Sequence, residues 1–214
     1  MIRHNISGLY AITPDLKDFN LYKDTTKAIL DAGVQLLQYR NKQPGKQERF
    51  AQAKCLKKWC KQSGAIFIIN DDLELAHALQ ADGIHLGMDD ASLFQARNLL
   101  GPGKIIGISC YNSLKRAQKA ILEGADYIAF GSFFSSETKP HAQRTSLSLL
   151  KEARNSLDVP IVAIGGITPQ NSRQLIEAGA DALAVVHALY SGDDPAYTVK
   201  EFSKLFKLEK QLND

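Results

Sequence analysis

Residues 160–187 read PIVAIGGITPQNSRQLIEAGADALAVVH. The stretch opens on a short β-branched apolar run, PIVAIGGI, and closes in a second one, ALAVVHAL from Ala182. Between them Pro169 suits the first turn of a helix and Gly179 its end. The unit is strand, helix, strand, and its strands are continuous apolar runs, the pattern of a parallel sheet covered on both faces.

The same alternation extends through the rest of the chain. Further apolar runs begin at Gly8 (GLYAIT), Leu36 (LLQYR), Ala65 (AIFIIN), Gly83 (GIHLG), Lys104 (KIIGIS) and Tyr127 (YIAFGSF), so that eight are present. Segments 47–62 and 146–155 carry apolar residues at helical spacing: Phe50, Ala53, Leu56 and Cys60 in the first, Leu147, Leu149, Leu150 and Ala153 in the second. Ser92 and Ser113 suit helix starts, and Gly64, Gly101 and Gly124 suit helix ends. Eight βα units in about 200 residues predict an α/β chain folded as a single (β/α)8 TIM barrel, one domain over 1–214. An open doubly wound sheet would place a Gly-rich fingerprint after its first strand, and that strand here ends in Thr13-Pro14-Asp15. No residue-level period is apparent from unit to unit.

Composition narrows the function. With 44% hydrophobic and 23% charged residues the chain can bury a large core under a solvated surface, so disorder is not expected. The net charge of +3 is mild and the basic residues are dispersed, which argues against nucleic acid as a partner. No run approaches a membrane span and the start, MIRHNISGLYAIT, lacks the apolar core of a signal peptide; a cytoplasmic protein with no membrane partner is expected. Cys55, Cys60 and Cys110 cannot all pair and form no zinc-like cluster, so they read as free thiols. Cys110, at a strand end, has no evident activating partner for a nucleophile.

In such barrels substrates meet the C-terminal ends of the strands. The second strand closes with Gln38, Arg40 and Lys42, whose alternate spacing puts all three on one side and suits an anion such as diphosphate. The third ends in Asn70-Asp71-Asp72 and the fourth leads into Met88-Asp89-Asp90, so adjacent strands each offer a carboxylate for Mg2+ beside a polyphosphate. Asp72 and Asp89 are equally good helix N-caps, and spacing leaves open which member of each pair is which. Ser135 to Pro140, with Ser136, Thr138 and Lys139, is either a loop that closes over a charged ligand or a polar turn. Gly165 and Gly166 close the seventh strand where barrels habitually bind phosphate. His187, after Val186 at the end of the eighth, is a ligand contact or a packed histidine. His4, His77, His85 and His141 receive no role.

Taken together, these strand ends resemble those of the thiamine phosphate synthase family. The resemblance covers nearly the whole chain and rests on GLYAIT, QYRNK, INDDLELA, DGIHLGMDD, GISCYN, ADYIAFGSFF with SSETKP, AIGGITP and AGADALAVV, in that order. It implies a transferase of thiamine biosynthesis that joins 4-amino-5-hydroxymethylpyrimidine diphosphate to 4-methyl-5-(hydroxyethyl)thiazole phosphate, giving thiamine phosphate and diphosphate. The family's mechanism is dissociative and Mg2+-dependent: diphosphate departs first and the thiazole nitrogen captures the pyrimidine-methyl cation.

The resemblance further implies that Asp71 and Asp90 bind Mg2+, that Arg40, Lys42 and Asn70 hold the diphosphate, and that Gln38 lies beside the pyrimidine. Ser109, Thr138 and Lys139 would be the catalytic groups at the diphosphate or reacting centre, with Lys139 offsetting charge on the leaving oxygens. Ser136, Gly166, Val186 and His187 would form the thiazole phosphate site, largely through backbone N–H groups. Two positions depart from the pattern: Met88 stands where the family often has glutamine and His187 where it often has serine.

Three other readings are set aside. The related thiazole tautomerase lacks the paired aspartates and carries a catalytic histidine after the fifth strand, where this chain has Ser109-Cys110-Tyr111. A non-catalytic phosphate-ligand regulator would be marked by loss of Asp71, Asp90 or Lys139, and all are present. A sugar-phosphate isomerase or aldolase needs a base or Schiff-base lysine within the strands, which carry only the strand-opening Lys104. The tail after Pro195, with Phe202, Leu205, Phe206 and Leu208 at helical spacing, either closes the barrel or supports a homo-oligomer.

Overall fold

The eight apolar runs form eight parallel strands in the computed structural model, which describes residues 6–135 and 144–213. They are β1 (Gly8–Ile12), β2 (Leu36–Tyr39), β3 (Ile66–Asn70), β4 (Gly83–Leu86), β5 (Ile105–Tyr111), β6 (Tyr127–Gly131), β7 (Ile161–Ile164) and β8 (Ala182–Val185). Neighbours in sequence are neighbours in the sheet, and β8 pairs with β1 to close the barrel. Helices alternate with them: α1 (Lys23–Asp31), α2 (Lys46–Ser63), α3 (Leu73–Leu79), α4 (Leu93–Leu100), α5 (Leu114–Leu122), α6 (Leu147–Ser156), α7 (Pro169–Glu177), the short α8 (His187–Tyr190) and α9 (Pro195–Asn213). This is the (β/α)8 TIM barrel expected from the alternation.

Local chemistry sets the boundaries. Ser92 caps α4 in a reciprocal capping box with Gln95, Ser113 accepts the Arg116 N–H to start α5, and Pro169 opens α7 behind Thr168. Gly64 ends α2 in the left-handed conformation, at φ 75°. The tail closes the barrel: α9 packs on α1, α7 and β1, with Val199 and Phe202 fully buried. Among the described residues no helix is long and apolar enough to cross a membrane.

Each strand sends alternate side chains to two cores. Leu37, Phe67, Ile69, Ile84, Phe130 and Leu183 face the helices in the larger core. Tyr10, Ile12, Leu36, Ile68, Ile105, Tyr127 and Val162 fill the smaller core inside the barrel. Two tyrosines fit there because their neighbours are small: a Cβ on Gly107 would lie 1.9 Å from Tyr127 Cζ.

Three strand openings share one dipeptide, at intervals too unequal to make a residue-level period. Ala-Asp precedes β4, β6 and β8, as Ala81-Asp82, Ala125-Asp126 and Ala180-Asp181, whereas β2 follows Val34-Gln35. Each aspartate bonds reciprocally to the strand before its own. Asp82 Oδ2 accepts from Phe67 N at 2.8 Å, and Asp126 and Asp181 Oδ2 accept from Ile106 N and Ile161 N at 2.7 Å each. Each aspartate N–H in turn donates to the same residue's carbonyl. Arg97 braces Asp126 and Arg154 braces Asp181. These contacts sit at the N-terminal face, where barrels invest in stability. Asp126→Ala is therefore expected to lower stability by about 2 kcal/mol by stranding the Ile106 N–H; an unchanged urea midpoint would remove Asp126 from the brace.

Candidate active site

At the opposite end of the barrel, β2 and the segment that follows it carry three polar residues at alternate positions with rising exposure. Gln38 is buried, Arg40 is half-buried and Lys42 is exposed. Asp15, in the loop after β1, holds this segment: its carboxylate accepts from Arg40 Nη1 at 3.1 Å and from the Lys42 N–H at 2.7 Å. Thr13 Oγ1 adds bonds to both N–H and carbonyl of Arg40. Asp15 and Thr13 were not singled out from sequence, because their partners lie more than 20 residues away.

The carboxylate pair forms where β3 and β4 end. Asp72 accepts the Leu75 N–H at 3.0 Å and is the N-cap of α3. Asp71 sits instead in the left-handed region at φ 61°, a conformation aspartate tolerates, and its Oδ2 lies 2.7 Å from Lys42 Nζ. Asp89 is exposed and α4 is capped by Ser92, whereas Asp90 accepts the Gly87 N–H at 2.6 Å and meets Asp71 in a side-chain hydrogen bond. A Cβ on Gly87 would stand 2.9 Å from Asp90 Oδ2, so a side chain there would push the Asp90 carboxylate aside.

The two carboxyls titrate in opposite directions. Burial by itself would push Asp71 up, but the Lys42 ammonium and the bond with Asp90 together hold it below the usual carboxylate range. Asp90 is pushed up, first by burial and then by Asp71, against the Gly87 N–H. Opposed shifts in neighbouring carboxyls mark two like charges competing at one place. A divalent cation would relieve that repulsion, so Asp71 and Asp90 are the residues here that could hold one. Among the described residues no group of three or more metal-ligating side chains exists. Two carboxylates nonetheless suit Mg2+, which completes its octahedron with water and phosphate oxygens. A cavity of about 290 Å3 opens here, lined in part by Asn41, Lys42, Arg49, Asn70, Asp71 and Asp90. Arg49 reaches Asp72 at 3.5 Å while its buried Nε has no hydrogen-bond partner.

Inside the barrel mouth, Ser109 on β5 is half-buried and its Oγ meets His85 Nε2 at 2.9 Å. His85, given no role from sequence, thus joins a predicted site residue. Arg116 Nε donates to the Ser109 carbonyl at 2.7 Å and its guanidinium stacks over Tyr111. Cys110 points the other way into the outer core, where burial pushes its thiol up to about 12, out of range for a nucleophile at neutral pH.

Across the mouth, Gly165 and Gly166 have φ of 110° and 61°. A Cβ on Gly166 would stand 2.1 Å from the Ser135 carbonyl oxygen, so these glycines admit the segment after β6 as closely as they would admit an oxyanion. Asn171 fixes the turn by donating to the Gly166 carbonyl at 2.9 Å. Val186 is the N-cap of α8 and His187 its first residue; His187 is exposed, with Nδ1 3.0 Å from Ser191 Oγ, and is not a packed core histidine. Ser136, Thr138 and Lys139 lie outside the described residues. Met88 is exposed, away from the packed contacts.

The structure thus brings Gln38, Arg40, Lys42, Asn70, Asp71, Asp90 and Ser109 to one end of the barrel, the end where Gly166, Val186 and His187 also lie. Comparison with known proteins identifies the family. The family described as thiamine monophosphate synthase matches residues 9–189. A thiamine-phosphate synthase from Methylobacillus flagellatus is 48% identical over 96% of this chain and 100% of its own length. One from Azoarcus sp. is 47% identical over 94% of this chain and 98% of its own. The solved thiamine phosphate pyrophosphorylase from Pyrococcus furiosus superposes with a TM-score of 0.86 at 31% identity, covering 96% of this chain and 98% of that one. With the fold and near-complete coverage in accord, the chain belongs to the thiamine monophosphate synthase family of transferases.

Proposed function

We propose that this protein condenses 4-amino-5-hydroxymethylpyrimidine diphosphate with 4-methyl-5-(hydroxyethyl)thiazole phosphate, releasing diphosphate and forming thiamine phosphate. The observation that carries the proposal is the Lys42–Asp71–Asp90 cluster at the β2–β4 mouth beside Arg40 and Ser109. Arg40 and Lys42 face three carboxylates, Asp15, Asp71 and Asp90, and alone would make a poor seat for a polyanion. Mg2+ held by Asp71 and Asp90 would reverse that balance. The ion, when bound, would neutralise oxygens of the departing diphosphate.

The chain's own groups divide the remaining work. Arg40, already oriented by Asp15, keeps further N–H donors for phosphate oxygens, and Lys42 and Asn70 add to them. Gln38 binds the pyrimidine. Ser109, Thr138 and Lys139 stabilise the leaving group as the pyrimidine methylene C–O bond breaks and diphosphate departs with the electron pair. Ser136 with the backbone at Gly166, Val186 and His187 holds the thiazole phosphate, so that the ring nitrogen is aligned to donate its lone pair to the cation.

Purified protein given both precursors and Mg2+ is expected to release diphosphate and thiamine phosphate in equal amounts. Chelator, or omission of either precursor, should stop release. Release with the thiazole phosphate left out would contradict the coupled transfer, and binding of precursors without any release would favour a regulator.

A further inference from the structure

Five side chains form a continuous hydrogen-bonded chain through the inner core. Gln38 Nε2 lies 2.9 Å from Tyr10 OH, Tyr10 OH 2.9 Å from Tyr127 OH, Tyr127 OH 2.9 Å from His85 Nδ1, and His85 Nε2 2.9 Å from Ser109 Oγ. Gln38, Tyr10, Tyr127 and His85 are all buried. The chain spans β2, β1, β6, β4 and β5, and its two ends are the residues assigned above to the pyrimidine and to the diphosphate.

Its polarity follows from the chemistry of one end. The Gln38 amide nitrogen can only donate, so Tyr10 accepts there. The single Tyr10 hydroxyl hydrogen then has Tyr127 as its acceptor; turned the other way it would be a buried donor with no partner, which costs far more than an ordinary bond contributes. Tyr127 in turn donates to His85 Nδ1, which must be unprotonated. The neutral imidazole therefore carries its hydrogen on Nε2 and donates it to Ser109 Oγ. The Ser109 hydroxyl hydrogen is left to be given to something else. Burial also drives the Tyr10 and Tyr127 hydroxyls far from ionisation, so both keep the hydrogens that this direction requires.

We infer that Tyr10, Tyr127 and His85 are positioning residues that fix the proton direction from Gln38 to Ser109, so that Ser109 is committed to donate to an anionic ligand at the mouth. The reversed chain would make Ser109 spend its hydrogen on His85 and face the ligand with lone pairs, which an oxyanion repels. The chain also ties the two ends together: a ligand that reorients Gln38 acts on Ser109 through three fixed groups. The inference rests on the proposed reaction only in naming diphosphate as the anion.

Two measurements test it. The first is the tautomer of His85 in the ligand-free protein, read from nitrogen-15 NMR of histidine-labelled protein and assigned with His85→Gln. Hydrogen on Nε2 is expected, and hydrogen on Nδ1 would overturn the inference whatever reaction the protein performs. The second is kinetic. Tyr10→Phe, which keeps the ring and breaks two links, should lower kcat/KM for the pyrimidine diphosphate by about 10-fold and leave KM for the thiazole phosphate unchanged. In the Ser109→Ala background the same substitution should cost much less, because the two act as one unit. Independent, multiplying losses would overturn the coupling, and so would equal effects on both substrates. Should wild-type protein turn over neither precursor, the proposed reaction fails while the tautomer still decides the polarity.

Discussion

Asp71→Asn is expected to lower Mg2+-dependent turnover by at least about 100-fold, because a metal ion that neutralises a leaving diphosphate contributes several kcal/mol to the transition state and each 1.4 kcal/mol is tenfold in rate. Asparagine is the informative replacement. It keeps the volume, tolerates the φ of 61° that Asp71 adopts, and still faces Lys42, so the change removes charge without straining the turn. Alanine at the same site would add a backbone penalty of about 1–2 kcal/mol and blur the result. Folding stability should fall slightly at neutral pH, since Lys42 and the bond with Asp90 hold Asp71 below the usual carboxylate range and its charged form therefore stabilises the fold. Turnover measured across a Mg2+ titration is the check. Asp90→Asn should show the same dependence, and a variant of either residue with wild-type turnover at low Mg2+ would end the metal assignment.

The largest stability effect should come from Gly107→Ala. The added methyl would stand 1.9 Å from Tyr127 Cζ and 2.4 Å from its hydroxyl oxygen, far inside contact distance. Tyr127 cannot retreat: it is fully buried in the inner core, its ring packs edge-on against Tyr10 and is stacked with His85, and its hydroxyl bonds to both. Overpacking of a fixed core costs about 3 kcal/mol, which lowers Tm by roughly 6–12 °C in a chain of this size. Tyr127→Ala alone should also destabilise by leaving a cavity, yet the double variant should be more stable than the two losses added together, because each change makes room for the other. Thermal denaturation of the three variants decides it; additive losses, or a Gly107→Ala protein as stable as the parent, would show that the ring does not press on β5.

Residues of this site were legible in sequence to different depths, and the reason is range. Gln38, Arg40 and Lys42 stood out because alternation along one strand is a local property. Asp71 and Asp72 did not separate, since both are aspartates at a strand end, and what distinguishes them is a backbone angle and a helix start. Resemblance to a family selected Asp71 and Asp90, and the structure adds the physical ground: Asp72 is used as a cap, Asp89 faces solvent, and the other two meet. Asp15 was invisible because its value lies in Arg40 and the Lys42 N–H, 25 and 27 residues away. His85 was passed over for the same cause. In sequence it is one polar residue in an apolar run; in space it joins Tyr127 to Ser109.

The eight strands, their order and the functional end were written in the sequence, since strands covered on both faces must be apolar throughout and must end where polar loops begin. The Ala-Asp dipeptide ahead of β4, β6 and β8 was written there too, though its meaning awaited the bonds it makes. Closure of the barrel fixed the rest. Only when β8 pairs with β1, and β6 comes to face β1 across the interior, do Tyr10 and Tyr127 meet over 117 residues of chain, with Gly107 leaving them space. Contacts of that range depend on which strands share the interior, and no local pattern of residues encodes it.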